Sequence, residues 1–184
     1  DDMRQYVIDN ELNFIDGGAD TDWQDEIYRT GLSQSYNLAA SGGTESGAYR
    51  LSLTHSDWEG VVKGTSKQRT IGRLNLMQKG INDRLTLTAS LAATIEANDY
   101  IDYGASGAND VLYQAIQRNP TDPVYNEDGS FHETQRDFNY YNPLALIDEI
   151  QNTRDAKRFL GNLKADFEIT DALVAGVNLG YMRN

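Results

Sequence analysis

"RLTLTASLAATI", residues 84–95, decides how the whole chain is read. Leu85, Leu87, Ala89, Leu91, Ala93 and Ile95 are apolar, while Thr86, Thr88, Ser90 and Thr94 between them are polar or small. Such period-two alternation marks a strand with one apolar face and one polar face. The run is longer than the five or six residues usual for strands of soluble proteins. Its apolar face must meet either the core of a sandwich or the hydrocarbon of a membrane.

Five further segments carry the same alternation: Ser33–Ser41, Ala48–Ser56, Gln68–Gln78, Phe159–Ile169 and Leu173–Tyr181. In the fourth of these, Phe159, Gly161, Leu163, Ala165, Phe167 and Ile169 share one face, and Leu160, Asn162, Lys164, Asp166 and Glu168 lie on the other. The connections alternate in length. "GGTESG", "KGIND" and "TDA" are short and rich in turn residues, whereas "DWEGVVKGTSK" and the 62 residues Glu96–Lys157 are long. The longest holds helix-like "NDVLYQAI" and "PLALIDEI" and all three prolines. Short turns at one rim and long loops at the other are the habit of transmembrane barrels, whose strands run to about 9–11 residues. A half-buried sandwich sheet alternates too, so pattern alone leaves both readings standing.

Composition narrows the function. With no cysteine there is neither a disulfide framework nor a thiolate metal site. No run of 18 apolar residues offers a transmembrane helix. The net charge of −12 is concentrated outside the strand-like segments, with nine acids in residues 1–30 against Arg4 and Arg29. No basic stripe is present to neutralise phosphates, which argues against nucleic acid. The chain opens at Asp1 without a signal peptide or initiator Met, so a processed or truncated N-terminus is expected.

Several stretches read as words of a known family. "TDWQDEIYRTGLSQSYNLAASGG", "YRLSLTHSDWEGVVKGT", "RTIGRLNL", "NPTDPVYNEDGS" and "YNPLALI" resemble, in order and along essentially the whole chain, the SusC/RagA-like TonB-dependent outer-membrane transporters. The resemblance implies an all-β fold: about six antiparallel strands of a larger, plugged transmembrane barrel of about 22 strands. It implies an extracellular loop segment over 1–32, four barrel strands within 33–95, a long extracellular loop over 96–157 and two further strands over 158–184. It further implies no enzyme activity. The expected role is active import of oligosaccharides or peptides across the outer membrane of a Gram-negative bacterium. A SusD-like surface lipoprotein would serve as lid, and TonB would act through an N-terminal part of the parent protein. Nothing in the chain resembles the plug, the TonB-contacting segment or the terminal strand. Six strands cannot close such a barrel, and open edges are not viable in lipid, so a piece of a larger polypeptide is expected. Two alternatives remain at this point: a soluble all-β glycan-binding module and a passive porin-like barrel.

The chemistry-bearing residues are few. His55 and His132 lack a second histidine at ligand spacing, so zinc is not expected. "NEDGS" lacks the Asp-x-Asp-x-Asp-Gly order and closing Glu of a calcium loop and reads as a turn, so no cofactor is expected. The long loop carries Tyr100, Tyr103, Tyr113, Tyr125, Phe131, Phe138, Tyr140 and Tyr141. Most of these are expected to pack the loop itself. Trp58, Tyr125, Tyr140 and Tyr141 are the candidates for contact with substrate or lid. Arg69, Arg73, Lys164 and Asp166 fall on the polar faces and are expected to line the lumen, against plug or substrate.

Overall fold

The computed structural model describes residues 2–10, 16–101, 109–133 and 140–184. Tyr103 and Phe138 lie outside the described residues. The chain divides into two compact units: a sheet unit (Leu32–Glu59, Ser66–Asp99 and Thr153–Asn184) and a loop unit (Asp1–Gly31, Gly60–Thr65 and Tyr100–Asn152).

The sheet unit is an antiparallel meander in the order β1-β2-β3-β4-β5-β6. Its strands are β1 (Ser33–Thr44), β2 (Gly47–Glu59), β3 (Ser66–Gly80), β4 (Leu85–Tyr100), β5 (Asn152–Thr170) and β6 (Leu173–Arg183). The register aligns the alternation of every strand. Leu38 pairs with Leu53, Leu53 with Gly72 and Gly72 with Ala93; Leu51 pairs with Leu74 and Leu74 with Leu91. A Cβ placed on Gly161 would meet the side chains of Leu91 and Phe159, which puts all three on one face. Leu163 and Ala165 then carry that face on to Leu179 and Val177. The result is one apolar face across six strands and one polar face behind it.

Among the described residues the apolar face is largely exposed. Leu38 is 74% exposed and Val177 61%, and every buried apolar residue among those described belongs to the loop unit. Along β4 the face spans Leu85 to Ile95, about 33 Å of strand at 3.3 Å per residue. Tilted by about 40°, that matches an apolar band of about 25 Å.

The strands run further than alternation alone delimits. β4 continues to Tyr100 and β5 begins at Asn152, so both enter the segment read as loop, 96–157. Polar groups hold these extensions. Ser66 Oγ donates to Asp99 Oδ2 at 2.7 Å, and Asn98 Nδ2 donates to the Arg154 carbonyl at 3.1 Å. At the opposite end, Glu168 N donates to the Arg84 carbonyl at 2.8 Å.

The loop unit gathers three segments that leave the strands at one end of the sheet. Its helices are α1 (Asp2–Asp9), α2 (Trp23–Ile27), α3 (Val111–Gln117) and α4 (Pro143–Glu149). Three of them start at side-chain caps. Asp22 accepts from Gln24 N and Asp25 N, Asp110 accepts from Leu112 N and Tyr113 N, and Asn142 accepts from Leu144 N with Pro143 following. Trp23, Ile27, Val62, Ile101, Val111, Ala115 and Leu146 form its core. Among the described residues no helix is long and apolar enough to cross a membrane.

Candidate functional site on the polar face and in the loop unit

The polar face of the sheet is a lattice of cross-strand hydrogen bonds. Ser35 Oγ and Ser56 Oγ lie 2.8 Å apart, Asn37 Nδ2 donates to Thr54 Oγ1 at 2.7 Å, and Asn162 Nδ2 donates to Asn178 Oδ1 at 2.8 Å. Near the end from which the long connections leave, Arg69 Nε donates to Glu96 Oε2 at 2.7 Å. Lys67 Nζ lies 3.1 Å from the other carboxylate oxygen, Oε1. The Arg69 guanidinium also stands 5.8 Å from the ring centroid of half-buried Trp58. Two residues singled out for different reasons, an aromatic and a cation, thus form one cluster. Lys164 and Asp166 also meet, at 2.6 Å. Arg73 is exposed on this face, with no carboxylate partner among the described residues.

In the loop unit the centre is Arg118, a residue that motif reading passed over. Its side chain is wholly buried, and its guanidinium lies 5.2 Å from the Trp23 ring and 5.1 Å from the Tyr140 ring. It donates to the carbonyls of His132 (2.7 Å) and Tyr140 (3.3 Å), and it lies 3.6 Å from Asp122 and 3.5 Å from Glu133. Tyr140 Oη accepts from Asn119 N at 2.6 Å and donates to the Gln117 carbonyl, while Trp23 Nε1 donates to the Asn119 carbonyl. Tyr140 is therefore committed to internal contacts. Tyr125 is half exposed against Phe131 (ring centroids 5.3 Å), and Tyr141 is 44% exposed.

The quoted words turn out to be joints of this unit. Arg29 of "IYRTG" donates through Nε to the Gly60 carbonyl and through Nη2 to the Thr65 carbonyl, both in "EGVVKGT". Asn142 of "YNP" is fully buried and donates to the carbonyls of Val124 and His132. "NEDGS" is a tight turn in which Asp128 Oδ1 accepts from the backbone and hydroxyl of Ser130. The Ser130 hydroxyl, and then its amide, hold the Asp128 carboxyl below its ordinary range. His132 Nδ1 pairs with Asn126 Oδ1, and His55 Nδ1 pairs with Thr70 Oγ1, each at 2.9 Å.

No family model matches the chain. Among curated proteins it is similar to TonB-dependent receptor P3 of Formosa agariphila, at 30% identity over 98% of this chain and 18% of that receptor. It is also similar to TonB-dependent receptor SusC of Bacteroides thetaiotaomicron, at 28% identity over 83% of this chain and 17% of SusC. TonB-dependent receptor P26 of Formosa agariphila matches at 27% identity over 79% of this chain and 14% of that receptor. The chain thus spans under a fifth of the length of the curated relatives it matches. With these relatives, the antiparallel sheet is a segment of a transmembrane β-barrel.

Proposed function

From homology to the TonB-dependent receptors, SusC among them, along nearly the whole of this chain, we propose that it forms part of the wall and extracellular loops of an outer-membrane TonB-dependent importer. The cargo in this reading is an oligosaccharide, with peptide as the second choice. A SusD-like lipoprotein covers the loop side, and TonB acts through a plug-bearing part of the parent protein. Residues 1–32 and 96–157 are the extracellular segments, and the strands of 33–95 and 158–184 are the wall.

One observation carries the reading: a six-stranded sheet exposes a continuous apolar face, while the buried core belongs to the loops. A sandwich module would bury that face against a second sheet. In lipid the face needs no cover. The test uses the intact parent protein expressed in a Gram-negative host. Recovery in the outer-membrane fraction, extractable only with detergent, together with oligosaccharide uptake that is lost when TonB is deleted, is the expected result. Recovery in the aqueous fraction overturns the membrane reading, and uptake indifferent to TonB replaces active import with a passive pore.

A further inference from the structure

The charge on the polar face runs against that of the chain. The whole sequence carries −12, yet β3 sets Lys67, Arg69, Arg73 and Lys79 on this one face, at register positions opposite Trp58, Ser56, Ser52 and, on β4, Thr86. Arg50 of β2 joins them, since it pairs with Asn75. The acids on the face are Glu96, which is taken by Arg69 and Lys67, and those of β5, where Asp166 is taken by Lys164.

Among the described residues Arg50, Arg73 and Lys79 have no carboxylate partner on this face, and the two arginines are neighbours. They occupy diagonal positions on adjacent strands, because Arg50 pairs with Asn75 and Arg73 with Ser52. Such diagonal neighbours lie about 7–8 Å apart, within joint reach of two long side chains. The residues beside them in the ladder are Ser41, Ser52, Asn75, Ser90 and Ala92, which are short and carry no negative charge. Two like charges side by side in a sheet are unfavourable unless an anion joins them. A guanidinium fork matches a carboxylate or sulfate group geometrically. Further along the same face stands Trp58 beside Arg69, an aromatic ring and a cation together.

Resting on the importer reading above, we propose that this face binds an anionic oligosaccharide. Arg50 and Arg73 clamp its carboxylate or sulfate groups, the neighbouring serines and Asn75 meet its hydroxyls, and Trp58 supplies a stacking surface. Part of the acidity of the loop unit is spent internally. Asp22 and Asp110 cap helices, Asp122 and Glu133 flank Arg118, and Asp128 holds Ser130.

The experiment uses the intact parent protein in detergent micelles, titrated calorimetrically with three probes: tetragalacturonate, a sulfated carrageenan tetrasaccharide and neutral maltotetraose. The expected result is binding of at least one anionic probe, weakening at least tenfold between 50 and 500 mM NaCl. The double variant Arg50→Gln/Arg73→Gln should weaken that binding at least tenfold while keeping the outer-membrane yield and melting temperature. Carboxylate and sulfate as the recognised group are separated by which anionic probe binds. Preference for maltotetraose overturns the anionic assignment and leaves the importer reading intact. Equal anionic affinity in wild type and variant overturns the role of the arginines. A variant that loses melting temperature at unchanged affinity assigns the pair to plug carboxylates and overturns it as well. Should the double variant fail to assemble, the single variants Arg50→Lys and Arg73→Lys, which keep the charge but lose the fork, must each weaken anionic binding alone. Recovery of the parent protein in the aqueous fraction defeats the underlying reading instead.

Discussion

At the scale of single residues, the loop unit hangs on Arg118. Its guanidinium is sandwiched between Trp23 and Tyr140 and donates to the carbonyls of His132 and Tyr140. Removing it strands Asp122, which has almost no solvent exposure. Loss of one partner from a buried pair costs about 3–5 kcal/mol. Arg118→Ala should therefore make the 109–133 region a preferred site of limited proteolysis in the membrane-embedded protein. Arg118→Lys should restore only part of the resistance, because an ammonium cannot stack and fork at once. Wild-type resistance in Arg118→Ala would show that the unit is held by other means. Asp128 gives a smaller, pH-linked effect. Its carboxyl is held low in the folded turn, so its stabilisation is complete above the ordinary carboxylate range and disappears as pH falls through the depressed value. The protection factor of the Ser130 amide, taken relative to intrinsic exchange at each pH, should fall on acidification in wild type and lose that dependence in Asp128→Asn.

At the scale of elements, the strands were the most legible part of the sequence. Alternation in "RLTLTASLAATI" put Leu91 and Ser90 on opposite faces, and the register keeps them there, with Leu91 opposite Leu74 and Ser90 opposite Asn75. Strand ends were less legible. Beyond Ile95 the ladder is carried by polar contacts such as Ser66 with Asp99, which have no periodic signature. The turn after β3 departs from what its residues favour. Ile81, Asn82 and Asp83 all have positive φ, of 55°, 54° and 64°. Asn and Asp tolerate this region, and a β-branched residue does so at a cost of about 1–2 kcal/mol. Ile81→Gly should consequently raise the thermal stability of the parent protein, and an unchanged or lowered melting temperature would locate a compensating contact for the Ile81 side chain. On the faces themselves, Leu91→Arg should impair assembly, at about 2–4 kcal/mol near the bilayer midplane. Ser90→Arg should be better tolerated, and equal assembly defects measured by heat-modifiable gel mobility would overturn the assignment of faces.

At the scale of the whole molecule, the stretches that carry the resemblance to TonB-dependent receptors take their physical meaning from the fold. "YRTG", "NPTDP" and "YNP" belong to the stretches that carry that resemblance, and they are the joints that tie three separate segments into one loop unit. Arg118 went unnoticed because its partners come from positions 23, 122, 132 and 140, a set no local pattern reveals. Sidedness follows from the same connectivity. The segments that build the loop unit leave the sheet at one end, whereas Glu45 sits in the short β1–β2 turn at the other. The chain holds no cysteine, so a single introduced thiol reports its own side within this segment. Glu127→Cys, in the exposed turn of "NEDGS", should react with a membrane-impermeant maleimide on intact cells expressing the parent protein. Glu45→Cys should react only after the outer membrane is permeabilised. The opposite pattern would invert the barrel and put the loop unit in the periplasm, and with it would fall the lipoprotein lid and the direction of import.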